Sequence, residues 1–587
     1  MKNIMEKFAA LFIVAALFVS CSDETTDLLD EGNYVGVNSE LYSGLWGCAS
    51  TVADVADQAL ILEALRGNLL EPTENAGTEV WNIWKYSDLN GNSIADPSGY
   101  YRVIMNVNDY VKHVDEYRKN NPTALNFEEK YGVTFDLYIS TAIRYKVWAY
   151  MMLAKIYGEA IYFDDPLSEY QDIAKYPKLG FDQIIDKCLE LMNTGMYGVD
   201  GKQITRWRTF LFPSITGENE GHMRYDRYQF TPQCLLAELY LYKGDYYNAA
   251  INAMTEITLG GRTGGGECYI LPLRGAYSSG WKTCVHTYLR WEDITMASYN
   301  PRMYETNRLE DFASNVSPYS YYVRPTQAAM ARFDTTSVAC IENATLSDRY
   351  RGRGGTFEET ETGQIILRKW VSGVAQTTET IIPLYRASGL HLILCEAWAG
   401  LAKKAADDGD EELKNAYIEA TLVLLNQGIR TYWDTTIGDF KAGSCFKKVL
   451  DELDPGNANK YLANLYRGTD HTQSASQYIH KGIRGRVAMG NVGGEILSTE
   501  MLPDSTFVPI YTDYEQCWKL DSLLADEYFF ELSGEGQVMF ALYRMMQNYP
   551  EKKDYFIKSM AAGRGDVESI LSADKGWFID YDLTEGN

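Results

Sequence analysis

The 587-residue sequence predicts a mostly α fold, with helices in antiparallel pairs and loop-rich stretches between them. Three observations lead there. Apolar residues recur at helical spacing through long segments of the chain. Glycines fall where several of those segments stop, as a left-handed terminating residue requires. Between them lie stretches rich in Gly, Asn, Asp and Thr that keep no period.

In chain order, residues 100–118 place Val103, Val107, Tyr110, Val111 and Val114 at helical spacing, and residues 139–157 read as a long apolar helix ended by Gly158. Residues 181–193 group Ile184, Ile185, Cys188 and Leu191 on one face. Residues 232–257 fold back at Gly244-Asp245. There Leu236, Ala237, Tyr240 and Ala249 have the relative spacing of a tetratricopeptide repeat, whose small residues let two helices approach closely. A second pair spans 386–402 and 412–430, so tetratricopeptide-like pairs are expected near 100–258 and 386–430. The run Asp407-Asp408-Gly409-Asp410-Glu411-Glu412 lacks the ligand spacing of a calcium loop and reads as a solvated turn. A last helix covers 520–546, broken near Ser533-Gly534. Regions near 259–380 and 431–515 read as loop-rich, and long loops on a rigid scaffold are where ligand contacts tend to sit. Residues 34–587 are expected to form one domain.

Composition excludes several classes. Hydrophobic residues are 46% of the chain, so a large core is available and global disorder is excluded. A net charge of −26 and a pI near 4.7 leave no basic stripe to displace phosphate counterions, so no nucleic acid is expected as partner. The ten cysteines contain no CxxC pair, and Cys188, Cys234 and Cys395 sit in apolar helical patterns as small hydrophobes. Six scattered histidines form no metal motif, and no cofactor is expected beyond an open place for a structural calcium ion. The 44 tyrosines suit half-wet binding grooves and ordinary helix packing equally.

The N-terminus reads as an export signal. Lys2 and Lys7 precede an uninterrupted apolar run from Phe8 to Val19, too short to span a bilayer core of about 30 Å. Phe18-Val19-Ser20-Cys21 resembles the lipobox of bacterial lipoproteins, in which the cysteine becomes the acylated first residue. On this reading residues 1–20 are the signal peptide, Cys21 is the lipidation site and residues 21–33 are a flexible tether. Each buried methylene of such an anchor contributes about 0.8 kcal/mol. Ser22-Asp23-Glu24 resembles the acidic tag that sends lipoproteins of Bacteroidota to the cell surface, and also suits a plain polar linker.

Further landmarks follow in a fixed order. They are Leu65-Arg66-Gly67-Asn68; Tyr101, Ile104 and Asn108; and Leu153 with Tyr157-Gly158 and Pro166. Then come Tyr322-Val323-Arg324-Pro325-Thr326, Arg332-Phe333-Asp334 and Asp348-Arg349. Tyr385-Arg386-Ala387 leads to Glu396-Ala397, and Leu425-Asn426 to Arg430. The most specific block is Glu527, Glu531-Leu532, Glu535-Gly536, Phe540, Leu542 and Arg544. In this order, behind a lipobox, the landmarks resemble the SusD/RagB family of outer-membrane nutrient-binding lipoproteins. Asn68 departs from the family's Asp, Gln537 from its Arg and Ala541 from its Asp. The resemblance implies a SusD-like fold, in which tetratricopeptide-like helix pairs form a curved scaffold with a loop-rich region packed on it, and a surface-exposed place on the outer membrane, held through the lipid anchor only. It also implies a SusC-like TonB-dependent transporter as partner, and an oligosaccharide or a peptide as ligand. No catalytic residue and no metal site are assigned.

A sugar offers a face of C–H groups and an edge of hydroxyls, so its site wants exposed aromatic planes among polar groups. Trp81, Trp84 and Tyr86, followed by Asp88, Asn90 and Asn92, have that chemistry and read as a loop. The competing reading buries Trp81 and Trp84, three apart, on one helical turn. Trp281, Tyr299 and Tyr304 are the other candidate ligand contacts, and Trp291 reads as buried. Glu527, Glu531 and Glu535 stand at i, i+4 spacing with Arg544 nearby, which suits a structural ion network better than a hydrolase pair. A glycan-binding lipoprotein that is not an enzyme is therefore the leading reading. A peptide-binding relative, a surface glycoside hydrolase and a protein-binding scaffold are the alternatives.

Overall fold

The structure, a computed structural model, describes residues 37–582 except 125–133, 168–169, 197–213, 216–222, 225–228, 260–293, 300–307, 315–319, 338–350, 372–380, 435, 463–481 and 486–488. It is mostly helical. The described part opens with α1 (Val37–Arg66), a 30-residue helix that periodicity does not reveal. Its Val52, Val55, Ala56, Ala59, Leu60, Ile61, Leu62 and Leu65 are buried around most of its circumference, which erases the one-sided stripe. After α2 (Thr78–Trp84) come α3 (Ser98–Asn120), α4 (Phe135–Tyr157) and α5 (Phe181–Met196). Helix α4 is central, and apart from Asp136 every one of its residues is buried. It starts four residues before its sequence-predicted bound because Thr134 caps it, accepting from Leu137 N–H at 3.2 Å. It stops at Gly158, whose φ of 71° lies against the Phe578 ring.

The next pair, α6 (Pro232–Tyr242) and α7 (Tyr246–Leu259), turns at Gly244 with φ 67°. Ala237 and Ala249 are fully buried, as the close-approach pattern requires. Two short helices, α8 (Arg308–Ala313) and α9 (Gln327–Ser337), precede the second pair, α10 (Ala387–Asp407) and α11 (Glu411–Asn426). The acidic run between these two is a turn. Gly409 takes φ 78°, and Asp410 caps α11 by accepting from Leu413 N–H at 2.9 Å. Helix α10 packs on α7, α11 and α13 (Asp513–Leu532). At the first contact Gly400 has no room for a side chain, since an added Cβ would meet the Tyr246 ring at 2.4 Å. Gly400→Ala is expected to cost about 1–3 kcal/mol through overpacking, read as a lower thermal midpoint with the helical signal unchanged.

Helix α12 (Cys445–Leu453) and the hairpin of Thr499–Met501 with Phe507–Pro509 lie within the stretch read as loop-rich. After α13 the chain breaks at Ser533–Gly536, then resumes as α14 (Val538–Asn548), α15 (Lys553–Ala561) and α16 (Gly565–Ser572). The sheets among the described residues are two-stranded and antiparallel. Leu70–Pro72 pairs with Val323–Pro325, and Ile294–Tyr299 with Ile381–Arg386. Cys188, Cys234 and Cys395 are buried. No described helix is long and apolar enough to cross a membrane.

Candidate functional site

The loop-rich segments are fastened to the helices by buried charge. Glu527 and Glu531 lie on α13 and Glu535 in the turn after it, one above another. Glu527 pairs with Arg484 and Arg351. Arg351 Nε stands 3.1 Å from Glu531 Oε2, an ion pair without the alignment of a hydrogen bond. Arg386 bridges Glu531 at 3.0 Å and Glu535 at 2.6 Å, and Lys369 closes the row on Glu535 at 2.5 Å. None of the seven side chains is more than 4% exposed. The surplus cation is met by carbonyls, because Glu531 O accepts from both Lys369 and Arg386, and Gly490 O from Arg484. Burial alone would raise the Glu527 carboxyl, but Arg351 and Arg484 hold it below the usual range.

Arg544 is not part of this row, contrary to the expectation from its spacing. It lies on α14, beyond the break, and faces α10 instead, making a forked pair with Glu396 at 2.8 Å on both nitrogens. Lys155 pairs with Glu238 at 2.6 Å, and Tyr385 donates to the same carboxylate. At two of the three departures named above, the Gln537 amide donates to Leu384 O at 2.8 Å and Ala541 is fully buried.

Two buried carboxyls carry the opposite shift. Burial pushes Glu63 up to about 8, with Glu535 adding to the rise while Val538 N–H, Lys155 and Lys369 oppose it. Burial likewise pushes Asp521 up to about 7, against the hydrogen bond donated by Tyr549 and with Glu396 adding to it. Folded pKa values above the unfolded ones give stability that is complete at acid pH and lost as pH rises through about 7 and about 8. The depressed Glu527 and Glu238 work the other way, losing their contribution on acidification. The urea midpoint is therefore expected to fall from pH 6 to 9, and Glu63→Gln to flatten that fall. An unchanged slope in the variant would contradict the assignment.

The segment after α1 carries the predicted aromatic cluster. Asn68 turns the chain with φ 57°, and Thr73 anchors it by donating its hydroxyl to Tyr321 O at 2.6 Å. The cluster stands on a short helix rather than a loop. In α2, Val80 and Ile83 point into the core, while Trp81 and Trp84 are half-buried and meet edge to face at 5.8 Å. Neither sequence reading holds for both indoles. Trp84 lies under the Arg564 guanidinium, 5.2 Å from its centroid, with its Nε1 buried and without a hydrogen-bond partner. Tyr86 donates to Arg66 O at 2.7 Å and lies against the Arg66 guanidinium at 4.4 Å. Among the described residues, the edge of Trp84 and the exposed Lys85 ammonium, 5.2 Å away, lie near the Trp81 ring.

Polar residues follow that indole in the chain. Asp88 and Asn90 are exposed in a turn closed by Asn90 N–H donating to Asp88 at 3.0 Å. Asn92 is buried and donates to Glu79 O at 3.0 Å. Gln58 donates to both Ile94 O and Asp96 O at 2.8 Å, holding the end of the segment on α1. Trp281, Trp291 and Tyr304 lie outside the described residues, as does Cys21. Of Tyr299 only the backbone is described, paired with Ile381. Among the described residues no group of three or more His, Cys, Asp or Glu could hold a metal ion.

No family model matches the chain, and no curated protein matches it. Solved structures do. A SusD superfamily protein from Bacteroides vulgatus superposes over 93% of this chain and 95% of its own, with a TM-score of 0.50 at 12% identity. The chain has the SusD fold. A SusD superfamily protein from Bacteroides thetaiotaomicron follows at TM-score 0.49, with 12% identity and coverage of 89% of this chain and 93% of that one. A laminarin-binding SusD-like protein reaches 0.45 at 12% identity, over 92% and 95% of the two chains. In SusD-fold terms, the stacked pairs α6–α7 and α10–α11 are the scaffold, and the charge row on α13 ties the irregular layer to it.

Proposed function

We propose that this chain is a cell-surface glycan-binding lipoprotein. Acylated at Cys21 and displayed on the outer membrane, it captures an oligosaccharide and delivers it uncut to a SusC-like TonB-dependent transporter. The observation that carries the reading is Trp81. It is a half-buried indole on a segment fixed to the scaffold, with the exposed Lys85 ammonium 5.2 Å from its ring and exposed Asp88 and Asn90 following in the same segment, within a SusD fold. An aromatic plane beside hydrogen-bonding groups complements the apolar face and hydroxyl edge of a sugar ring. The lipobox residues and acidic Ser22-Asp23-Glu24 support the anchoring and surface display. The row Glu527, Glu531 and Glu535 offers no acid–base pair to a cleft, because each carboxylate is buried and held by two cations.

The test uses protein lacking residues 1–21 in native gels cast with laminarin, starch, pectin or mucin. At least one glycan is expected to retard it, and none to gain reducing ends. Released reducing ends would point to a hydrolase, and retention by peptides alone to a peptide carrier; either result overturns the reading.

A further inference from the structure

The far end of the chain converges on the Trp81 segment. Arg564, in the turn before α16, donates Nη1 to Trp84 O at 2.9 Å and Nη2 to Arg66 O at 3.2 Å. Its guanidinium plane also lies over the rings of Trp84 and Tyr86, at 5.2 and 5.9 Å. One side chain thus ties the last turn of α2, the end of α1 and the positive-φ residue Tyr86 into a single unit. Only a guanidinium can do this, since its flat fork reaches two carbonyls while its faces stack on rings.

A second attachment lies further on. Arg66 Nη2 is 3.2–3.3 Å from the carbonyls of Gly576, Trp577 and Phe578 and donates among them. Beyond these, Ile579 N–H donates to Ile156 O at 2.8 Å, and Tyr581 packs on Tyr157. The strap ends with Asp582 N–H donating to Asn90 Oδ1 at 2.7 Å. Trp577, Ile579 and Tyr581 are buried along it, so the strap is packed down rather than draped over the surface. Helix α2 has seven residues, far too few to persist without such support.

We propose that Arg564 and the strap of residues 576–582 are positioning elements that hold Trp81 in its ligand-ready orientation. A ring already fixed before the ligand arrives loses little freedom on binding, which is where a rigid site gains affinity over a loose one. The geometry stands by itself; its purpose rests on the glycan-binding reading above.

Arg564→Ala and Arg564→Lys, in protein lacking residues 1–21, test it by amide hydrogen exchange and by retention in the laminarin, starch, pectin and mucin gels. In Arg564→Ala, exchange at residues 81–92 is expected to quicken at least tenfold while α10 and α13 stay unchanged, and glycan retention to weaken about tenfold. Lysine keeps the charge over the rings but cannot fork to both carbonyls, so its effect should be intermediate. Unchanged exchange at 81–92 in Arg564→Ala overturns the proposal whatever the glycan result. Quickened exchange with undiminished retention overturns the positioning role and places the ligand away from Trp81. If the unaltered protein is retained by none of the four, the glycan reading fails, and exchange alone decides whether the clamp exists.

Discussion

Glu531→Ala is expected to destabilise the protein by at least about 3 kcal/mol, because it takes from each of two buried guanidinium groups one of the two carboxylates it faces. Arg351 and Arg386 both face this carboxylate, and neither exposes more than 2% of its side chain to water. Desolvation makes two buried cations left with half their countercharge more costly than the intact row, so the loss should exceed that of any surface pair such as Lys187–Glu190. The consequence is also spatial. Arg351, Lys369 and Arg484 come from irregular segments, and the row is what seats those segments on α13. Urea denaturation should show a lower midpoint, with α10 amides still protected and those near residue 369 released early. A midpoint within error of the unaltered protein would contradict the account.

Trp81→Ala is expected to weaken glycan binding by about 2 kcal/mol, on the order of thirtyfold in Kd, while leaving the thermal midpoint nearly unchanged. The reason is its position. Of the three clustered rings, Trp81 has the least contact with the guanidinium groups that hold Trp84 and Tyr86. Tyr86→Phe should do the reverse. Losing the hydrogen bond to Arg66 O should cost about 1 kcal/mol of stability with little change in Kd. Calorimetric titration and thermal melts on the two variants separate ligand contact from support; an equal loss of affinity in both would deny Trp81 its particular role.

Much of the scaffold was legible in the sequence because its causes are local. Gly244 and Gly409 stop helices through left-handed backbone that other residues adopt at a cost, and both turns stand where the pattern put them. The break at Ser533-Gly534 followed from the same chemistry, since Gly534 and Gly536 have positive φ and a Cβ at Gly534 would strike Leu367. Helix α1 was not legible, because a helix buried on most sides loses the stripe by which helices are found. The carboxylates of the charge row were legible as a structural network, but its four cations were not. Arg351 meets Glu527 across 176 residues, and nothing near either residue announces the partner. The aromatic cluster shows the same limit. Composition gave three rings in six positions, yet the sorting of Trp84 from Trp81 depends on Arg564, 480 residues away.

Titration calorimetry of the protein lacking residues 1–21, with mass analysis of the oligosaccharide recovered afterwards, addresses capture without cutting most directly. The expected result is a saturable heat with one of the four glycans, its Kd weakened about thirtyfold in Trp81→Ala, and an oligosaccharide recovered at its starting mass. Shortened products, or a heat that survives in Trp81→Ala undiminished, would contradict it.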